Sequence, residues 1–151
     1  MKKNKVFAGY INLKPINGVI FPSYAQNQMN KKYIIEKLDG EFFLSTNENT
    51  YGTNNIVLKS LLEEKRIKGI CMLSTFHLPE NFDDRYLIYK LAKKNKKEIH
   101  FVFEETSILN LKNVEYIEQL LIFNQPFFTK KIDKLDNFQK KYFLNKDWTF
   151  V

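Results

Sequence analysis

The chain alternates short apolar segments with amphipathic segments of helical length, and this alternation constrains its fold more than any other feature. The segments "VFAGYINL", "GICML" and "IHFVF" are hydrophobic almost throughout. Such strands are typical of a parallel sheet whose two faces are both covered, because neither face then meets water. The pattern predicts strands over 6–13, 41–45, 70–74 and 98–103 and helices over 24–38, 56–65 and 82–94.

Strands that alternate with helices of this length indicate βαβ units and therefore an α/β fold. We expect a four-stranded parallel sheet of order 2-1-3-4 with helices on both faces. The chain has 151 residues, a usual size for one domain. The prediction assigns residues 1–108 to this parallel α/β domain.

The sequence changes character after Ile108 and predicts a C-terminal helical extension over 109–151. Two stretches with helical spacing are separated at Pro126, and the chain ends in the apolar segment "DWTFV". We expect these helices to pack on the same domain or on a second copy, and we predict a homodimer formed through them. The apolar positions are Val114, Ile117, Leu120, Leu121, Ile132, Leu135, Phe138 and Tyr142.

The chain is basic, with 24 Lys and Arg against 17 Asp and Glu and a formal net charge of +7. An excess of this sign favours anionic partners such as nucleic acid, phosphorylated small molecules or an anionic membrane face. A lysine-biased genome explains the same excess equally well. The run "KLAKKNKKE" is more typical of a helix C-terminus, where the helix dipole favours cations, than of a nucleic-acid patch.

The single cysteine, Cys71, lies within a predicted strand and is expected to be a small core residue. One cysteine excludes an internal disulfide framework and a cysteine-based metal site within one chain. No apolar run approaches the ~18 residues of a membrane helix, and the basic start is followed by too short an apolar stretch for a signal peptide. We therefore expect no membrane span and a cytoplasmic location.

Polar side chains follow every predicted strand. The carboxyl ends of parallel strands share one edge of the sheet, and ligands bind there where the strand order reverses. The sequence therefore predicts a site along this rim. Loops are polar for other reasons too, so His77 could simply cover the sheet end and Glu104 could belong to a solvated edge. The rim residues are Asn12, Lys14, Gln26, Asn27, Ser45, Asn47, Glu48, Ser74, Thr75, His77, Glu104, Glu105 and Thr106.

The sequence has no motif for a bound cofactor. The two glycines of "GYINLKPING" match neither dinucleotide-binding nor P-loop spacing, and there is no G-x-S-x-G nucleophile elbow. No H-x-x-x-H or paired-cysteine pattern occurs. We expect no cofactor and no metal, with a metal held by His77 and carboxylates as the less favoured alternative.

The layout over residues 6–108 resembles the catalytic domain of the serine resolvases and invertases. "GYINL" lies where that family has its Tyr-x-Arg-x-Ser strand, and "STFHLPENFDDRYLIYKLAKKNKKEIHFVFEETSI" resembles its second catalytic segment. Asn12 occupies the arginine position, Leu13 or Lys14 the nucleophile position, and Phe76 and His77 lie near the second catalytic pair. The resemblance implies a resolvase-like or flavodoxin-like fold without phosphodiester attack, because the nucleophile and the cationic clamp are missing.

A second resemblance is to the sporadic carbohydrate cluster family, small proteins encoded among genes for lipopolysaccharide and other surface glycans. It covers about the first 108 residues and implies a role in making a surface carbohydrate. The residues that carry it are Gly9, Tyr10, Pro22, Gln26, Asn27, Leu44, Ser45, Glu48, Gly69, Ile70, Ser74, Leu78, Pro79, Arg85, Tyr89, His100, Phe101 and Glu104.

These matches lie on the predicted rim and yield a set of expected roles. Glu48 as base and Glu104 as acid would perform proton transfer, with His77 as a further catalytic candidate. Side chains able to bind sugar hydroxyls or a phosphate would hold the substrate. They are Tyr10, Gln26, Asn27, Ser45, Ser74 and Arg85.

Three functions remain open from the sequence. The first is a cofactor-independent isomerase, epimerase or lyase acting on an activated or phosphorylated sugar, without nucleic acid as a partner. The second is a non-catalytic protein that binds a sugar or sugar nucleotide for a pathway enzyme. The third is a DNA-binding resolvase relative without recombinase activity, which would use the net positive charge.

Overall fold

The computed structural model describes residues 4–48 and 54–123. The chain divides into two compact units, Met1–Leu109 and Asn110–Val151. In the first unit the strands are β1 (Val6–Ile11), β2 (Glu41–Asn47), β3 (Gly69–Met72), β4 (Glu98–Phe101) and β5 (Thr106–Ile108). The helices are α1 (Ser23–Glu36), α2 (Ile56–Glu63) and α3 (Phe82–Lys94), and a single 3-10 turn spans Thr75–His77.

The five strands form one sheet of order β2-β1-β3-β4-β5. The first four strands are parallel, in the predicted order 2-1-3-4, whereas β5 is antiparallel to β4. The prediction of four strands was therefore wrong. A tight turn with Glu105 at φ 48° reverses the chain after β4 and pairs Ile99 with Ile108. β5 has only three residues, and only Ile108 among them is buried, so it left no periodic signal in the sequence.

Three of the strands end earlier than predicted. β1 ends at Ile11, β3 at Met72 and β4 at Phe101. Leu73 lies just beyond β3 and is as fully buried as the strand itself. An apolar run therefore marks burial, and it extends past the point where the strand pairing stops.

The helices pack on the sheet as right-handed crossovers require. α1 contacts β1, β2 and β3, whereas α2 and α3 contact each other and α2 also contacts β3. The connection through α1 leads from β1 to β2, and the next two lead the other way along the sheet. Right-handed connections in opposite directions place α1 on one face and α2 with α3 on the other. The strand order reverses between β1 and β3.

Under α1, the sheet core contains Phe7, Ile34 and Cys71, all buried. Burial raises the pKa of the Cys71 thiol to about 12, in keeping with its expected core position. The β1–β2 register shifts between Phe7 and Gly9, which forms a bulge. At Gly9 the strands are so close that a Cβ atom would overlap the Ser45 hydroxyl.

In the second unit, the structure describes α4 (Leu111–Phe123), on which Val114, Ile117 and Leu121 are buried. The second predicted helix of the extension, the break at Pro126 and the terminal Trp148 and Phe150 lie outside the described residues. Homodimerisation through these helices stays a prediction. Among the described residues, no helix combines the length and apolar character that crossing a membrane requires.

Candidate functional site

The first cluster of the rim fixes the loop that follows β1. The buried Gln26 side chain on α1 accepts from the Asn12 backbone N–H at 3.2 Å and donates to the Asn12 carbonyl at 2.8 Å. It also donates to the Phe21 carbonyl at 2.7 Å. Asn12 in turn accepts from the Lys14 backbone N–H at 2.8 Å. Gln26 thus satisfies backbone groups of the loop, and its neighbour Asn27 is partly exposed.

Tyr10 and Glu48 connect the end of β1 to the start of α2. The buried Tyr10 hydroxyl donates to Glu48 Oε2 at 2.9 Å, and Asn12 Nδ2 donates to the same hydroxyl at 3.2 Å. Glu48 also accepts from the backbone N–H groups of Val57 at 3.2 Å and Leu58 at 3.0 Å. Burial, reinforced by the Glu48 charge, raises the Tyr10 pKa above its usual value. Glu48 therefore binds the free amides at the N-terminus of α2.

Lys14 is, with Leu13, one of the two candidates for the position at which the resolvase family has its nucleophile. Its Nζ donates to the Leu78 carbonyl at 2.7 Å, in the loop after β3. Burial lowers the Lys14 pKa, an effect that the Glu80 charge opposes and the Arg85 charge reinforces. The side chain is partly buried and crosses the point where the strand order reverses.

His77 lies beside Lys14 and is buried, with 1% of its surface exposed. Its Nε2 lies 3.0 Å from the Lys14 carbonyl, which can only accept, so Nε2 carries the proton. Nδ1 is buried and has no hydrogen-bond partner among the described residues. Burial lowers the His77 pKa to about 4; the bond to the Lys14 carbonyl opposes this shift and the Lys14 charge adds to it. The ring is therefore neutral at physiological pH.

Glu104 joins the turn after β4 to the loop after β3. Its Oε1 accepts from the Ser74 hydroxyl at 2.6 Å, the Thr75 backbone N–H at 3.1 Å and the Thr75 hydroxyl at 3.0 Å. Glu104 therefore lies in direct contact with Ser74. Its Oε2 is buried and has no hydrogen-bond partner among the described residues. The bond from Thr75 N–H shows that Glu104 holds the 3-10 turn that contains His77.

Arg85 is buried on the first turns of α3 and donates from Nη1 to the carbonyls of Pro79 at 3.0 Å and Glu80 at 2.6 Å. Its guanidinium lies 5.7 Å from the Phe82 ring centroid. Lys14 and Arg85 thus both bind backbone carbonyls of residues 78–80. These two cations stabilise the loop that precedes α3.

The predicted site residues form two groups. Tyr10, Gln26 and Glu48 surround the ends of β1 and β2, whereas Ser74, His77, Arg85 and Glu104 surround the ends of β3 and β4. β1 and β3 lie between β2 and β4, a separation of about 14 Å at the usual strand spacing. Strand order therefore separates the proposed base, Glu48, from the proposed acid, Glu104. Ser45 lies under α1 beside Gly9.

Lys14 and Asn12 belong to the predicted rim but were given no catalytic or substrate-binding role. Lys14 bridges the two groups through Leu78 and through the His77 ring, and Asn12 is bonded to Tyr10, Gln26 and the Lys14 backbone. Their positions in the resolvase-like strand were the signal that could have singled them out. Within 4–48 and 54–123, no three His, Cys, Asp or Glu side chains are grouped so that they could hold a metal ion.

Comparison with known proteins identifies the fold class. No family model matches the chain, and no curated protein matches it significantly in sequence. The crystal structure of the N-terminal catalytic domain of TP901-1 integrase matches it with a TM-score of 0.60 and 15% sequence identity, over 91% of this chain and 98% of that one. At this identity the likeness establishes a resolvase-like α/β fold.

The comparison corrects the expected function. The chain was expected to act in surface-carbohydrate synthesis, and that expectation is wrong: the solved structure that spans almost the whole chain is the catalytic domain of an integrase. The resemblance to the sporadic carbohydrate cluster family has no support from a family model or a curated sequence. The roles given to individual residues in a sugar reaction lose their basis with it.

Proposed function

We propose that this chain is a DNA-binding relative of the resolvase-type catalytic domains that has no recombinase activity. The single observation that supports the proposal is which residues follow β1 and what they bind. Where the family has a serine, this chain has Leu13 or Lys14, and neither side chain carries a hydroxyl; the Lys14 ammonium donates to the Leu78 carbonyl. Asn12, at the family's arginine position, donates from its side chain to the Tyr10 hydroxyl, and its backbone N–H and carbonyl bind the Gln26 side chain.

The proposed absence of recombinase activity follows from the groups that phosphodiester attack requires. Attack requires an activated nucleophile and cationic groups that stabilise the charge developing on the phosphate. Ser74, a hydroxyl in the loop after β3, donates to Glu104. The cations of the rim, Lys14 and Arg85, both bind backbone carbonyls of the chain. None of these groups is arranged to attack or to clamp a phosphate.

The DNA-binding part of the proposal draws on the fold neighbour, an integrase domain, and on the net charge of +7. Basic proteins bind DNA phosphates through release of condensed counterions, independently of sequence. The expectation that nucleic acid is not a partner depended on the carbohydrate function that the comparison overturned.

Two measurements on the full chain test the proposal. Incubation with supercoiled plasmid should leave the plasmid intact and should form no covalent protein–DNA adduct, with an active serine recombinase on its own substrate as the positive control. Fluorescence anisotropy with a labelled duplex should show binding at low salt that weakens steeply between about 50 and 200 mM KCl. Cleavage of a plasmid strand would contradict the proposed absence of recombinase activity. An absence of binding at low salt would contradict the DNA-binding role.

A further inference from the structure

The amino ends of the parallel strands carry a continuous basic surface, which we call the basic rim and define as residues 63–68 and 90–98. The two segments are joined directly. Lys97 Nζ donates to the carbonyls of Glu64 and Ile67, each at 2.5 Å, and the Glu98 backbone N–H donates to the Lys68 carbonyl at 3.1 Å. These bonds hold the end of α2 and the end of α3 beside the starts of β3 and β4.

The basic rim has a large excess of positive charge. It contains eight Lys and Arg against three Glu, so its field is positive even with every carboxylate ionised. Two of the three carboxylates are also paired: Glu64 with Arg66 at 2.8 and 3.0 Å, and Glu98 with His100 at 2.9 Å. Exposed lysines remain along the rim. They are Lys65, Lys68, Lys90, Lys93, Lys94 and Lys96.

At the opposite edge of the sheet, where polar side chains follow the strands, acidic residues outnumber basic residues. Residues 12–22, 47–48, 73–85 and 102–105 at this edge contain six Asp and Glu against two cations, Lys14 and Arg85. Both cations already bind backbone carbonyls. A polyanion is therefore repelled at the carboxyl-end edge and attracted at the amino-end edge.

We propose that the basic rim is the surface that contacts the phosphate backbone of duplex DNA. This inference rests on the proposed function and adds to it the place where DNA binds, on the edge of the sheet opposite the position of the family's nucleophile. Flexible lysines that contact phosphates hold a duplex without reading its sequence. The surface therefore binds DNA of any sequence, and each lysine in contact contributes to the salt dependence.

Paired charge-neutralising variants test the surface. Lys68→Gln/Lys94→Gln removes two exposed cations of the basic rim, and Lys65→Gln/Lys96→Gln removes two others in case the first pair disturbs folding. Lys31→Gln/Lys32→Gln, on the exposed side of α1, removes the same charge elsewhere. Each rim variant should weaken duplex binding about tenfold at low salt and reduce the slope of log K against log[salt] by about two. The α1 variant should change neither quantity by a comparable amount.

The outcomes separate the two proposals. If the parent chain binds the duplex and all three variants bind equally well, DNA binding stands and the basic rim is the wrong surface. If the parent chain does not bind the duplex at low salt, the proposed function fails and the surface fails with it. Tighter binding to double-stranded RNA, or binding to phosphatidylserine vesicles in place of the duplex, would also overturn the assignment of DNA as the partner.

Discussion

At the scale of single residues, the buried His77 ring makes stability depend on pH. The folded ring has a pKa of about 4, below the ordinary 6.5, because burial disfavours the charged form. Protonation would charge a ring whose remaining nitrogen, Nδ1, has no acceptor among the described residues. The unfolded chain takes up this proton as the pH falls below 6.5, so stability is complete above that value and is lost as the pH falls toward 4.

This contribution can be measured against a variant that does not titrate. Between pH 7.5 and 5, the free energy of unfolding of the parent chain should fall by about 2 kcal/mol more than that of His77→Gln. Urea unfolding at the two pH values gives both differences, and the common effect of the carboxylates cancels in the comparison. Equal pH dependence in the two chains would show that the pKa of the folded ring is not lowered from its ordinary value.

Gly9 and Ser45 form a second residue-scale pair. A Cβ atom at position 9 would overlap the Ser45 hydroxyl, which is buried and has no hydrogen-bond partner among the described residues. Gly9→Ala should therefore cost about 1–3 kcal/mol of unfolding free energy through overpacking. Ser45→Ala should be close to neutral, because it removes a buried hydroxyl that makes no hydrogen bond.

The double variant Gly9→Ala/Ser45→Ala should recover most of the lost stability, since the overlapping oxygen is gone and the remaining Cβ contact is 3.4 Å. Urea unfolding of all four chains gives the coupling energy of the pair. Simple additivity of the two single effects would rule out the close approach of β1 and β2 at this point.

At the scale of elements, α2 depends on a residue outside itself for its N-terminus. Asn55 has a left-handed backbone (φ 50°) and makes no capping bond through its side chain, whereas Glu48 accepts from Val57 and Leu58. Glu48→Ala should cost about 1 kcal/mol or more of unfolding free energy and should speed hydrogen exchange at those two amides. Glu63→Ala, at the exposed end of the same helix, is the matched control. Unchanged hydrogen exchange at the Val57 and Leu58 amides would show that Glu48 does not cap α2.

Helical spacing of apolar residues predicted the helices and short apolar runs predicted the first four strands, and α3 (Phe82–Lys94) has the predicted bounds. β5 escaped prediction because its pairing with β4 depends on a tight turn at Glu105 and on a single buried residue. Glu48 was correctly expected to follow β2. Glu48 can bind the α2 amides only because the chain between β2 and α2 brings the start of α2 back beside it. The residue type of Glu48 does not predict this.

At the scale of the whole molecule, the sequence predicted a polar rim but not its internal bonding. Parallel strands must end at one edge, so the presence of Ser74, His77 and Glu104 there followed from topology. Their bonds to each other and to the loops follow from side-chain geometry. Residue types suited to catalysis are equally suited to holding loops, and this ambiguity led to the catalytic roles, whereas the incorrect carbohydrate function came from the family resemblance.

The opposed charges of the two sheet edges also give the α/β unit an electric dipole moment along its strands. In dilute buffer near a polyanion, attraction of the positive amino-end edge turns this dipole so that the amino ends of the strands face the negative charge. At an ionic strength of about 0.15 M the Debye length is about 8 Å, and this attraction is largely screened. Low-salt buffers, which favour polyanion binding, therefore also favour a single orientation of the molecule on the polyanion.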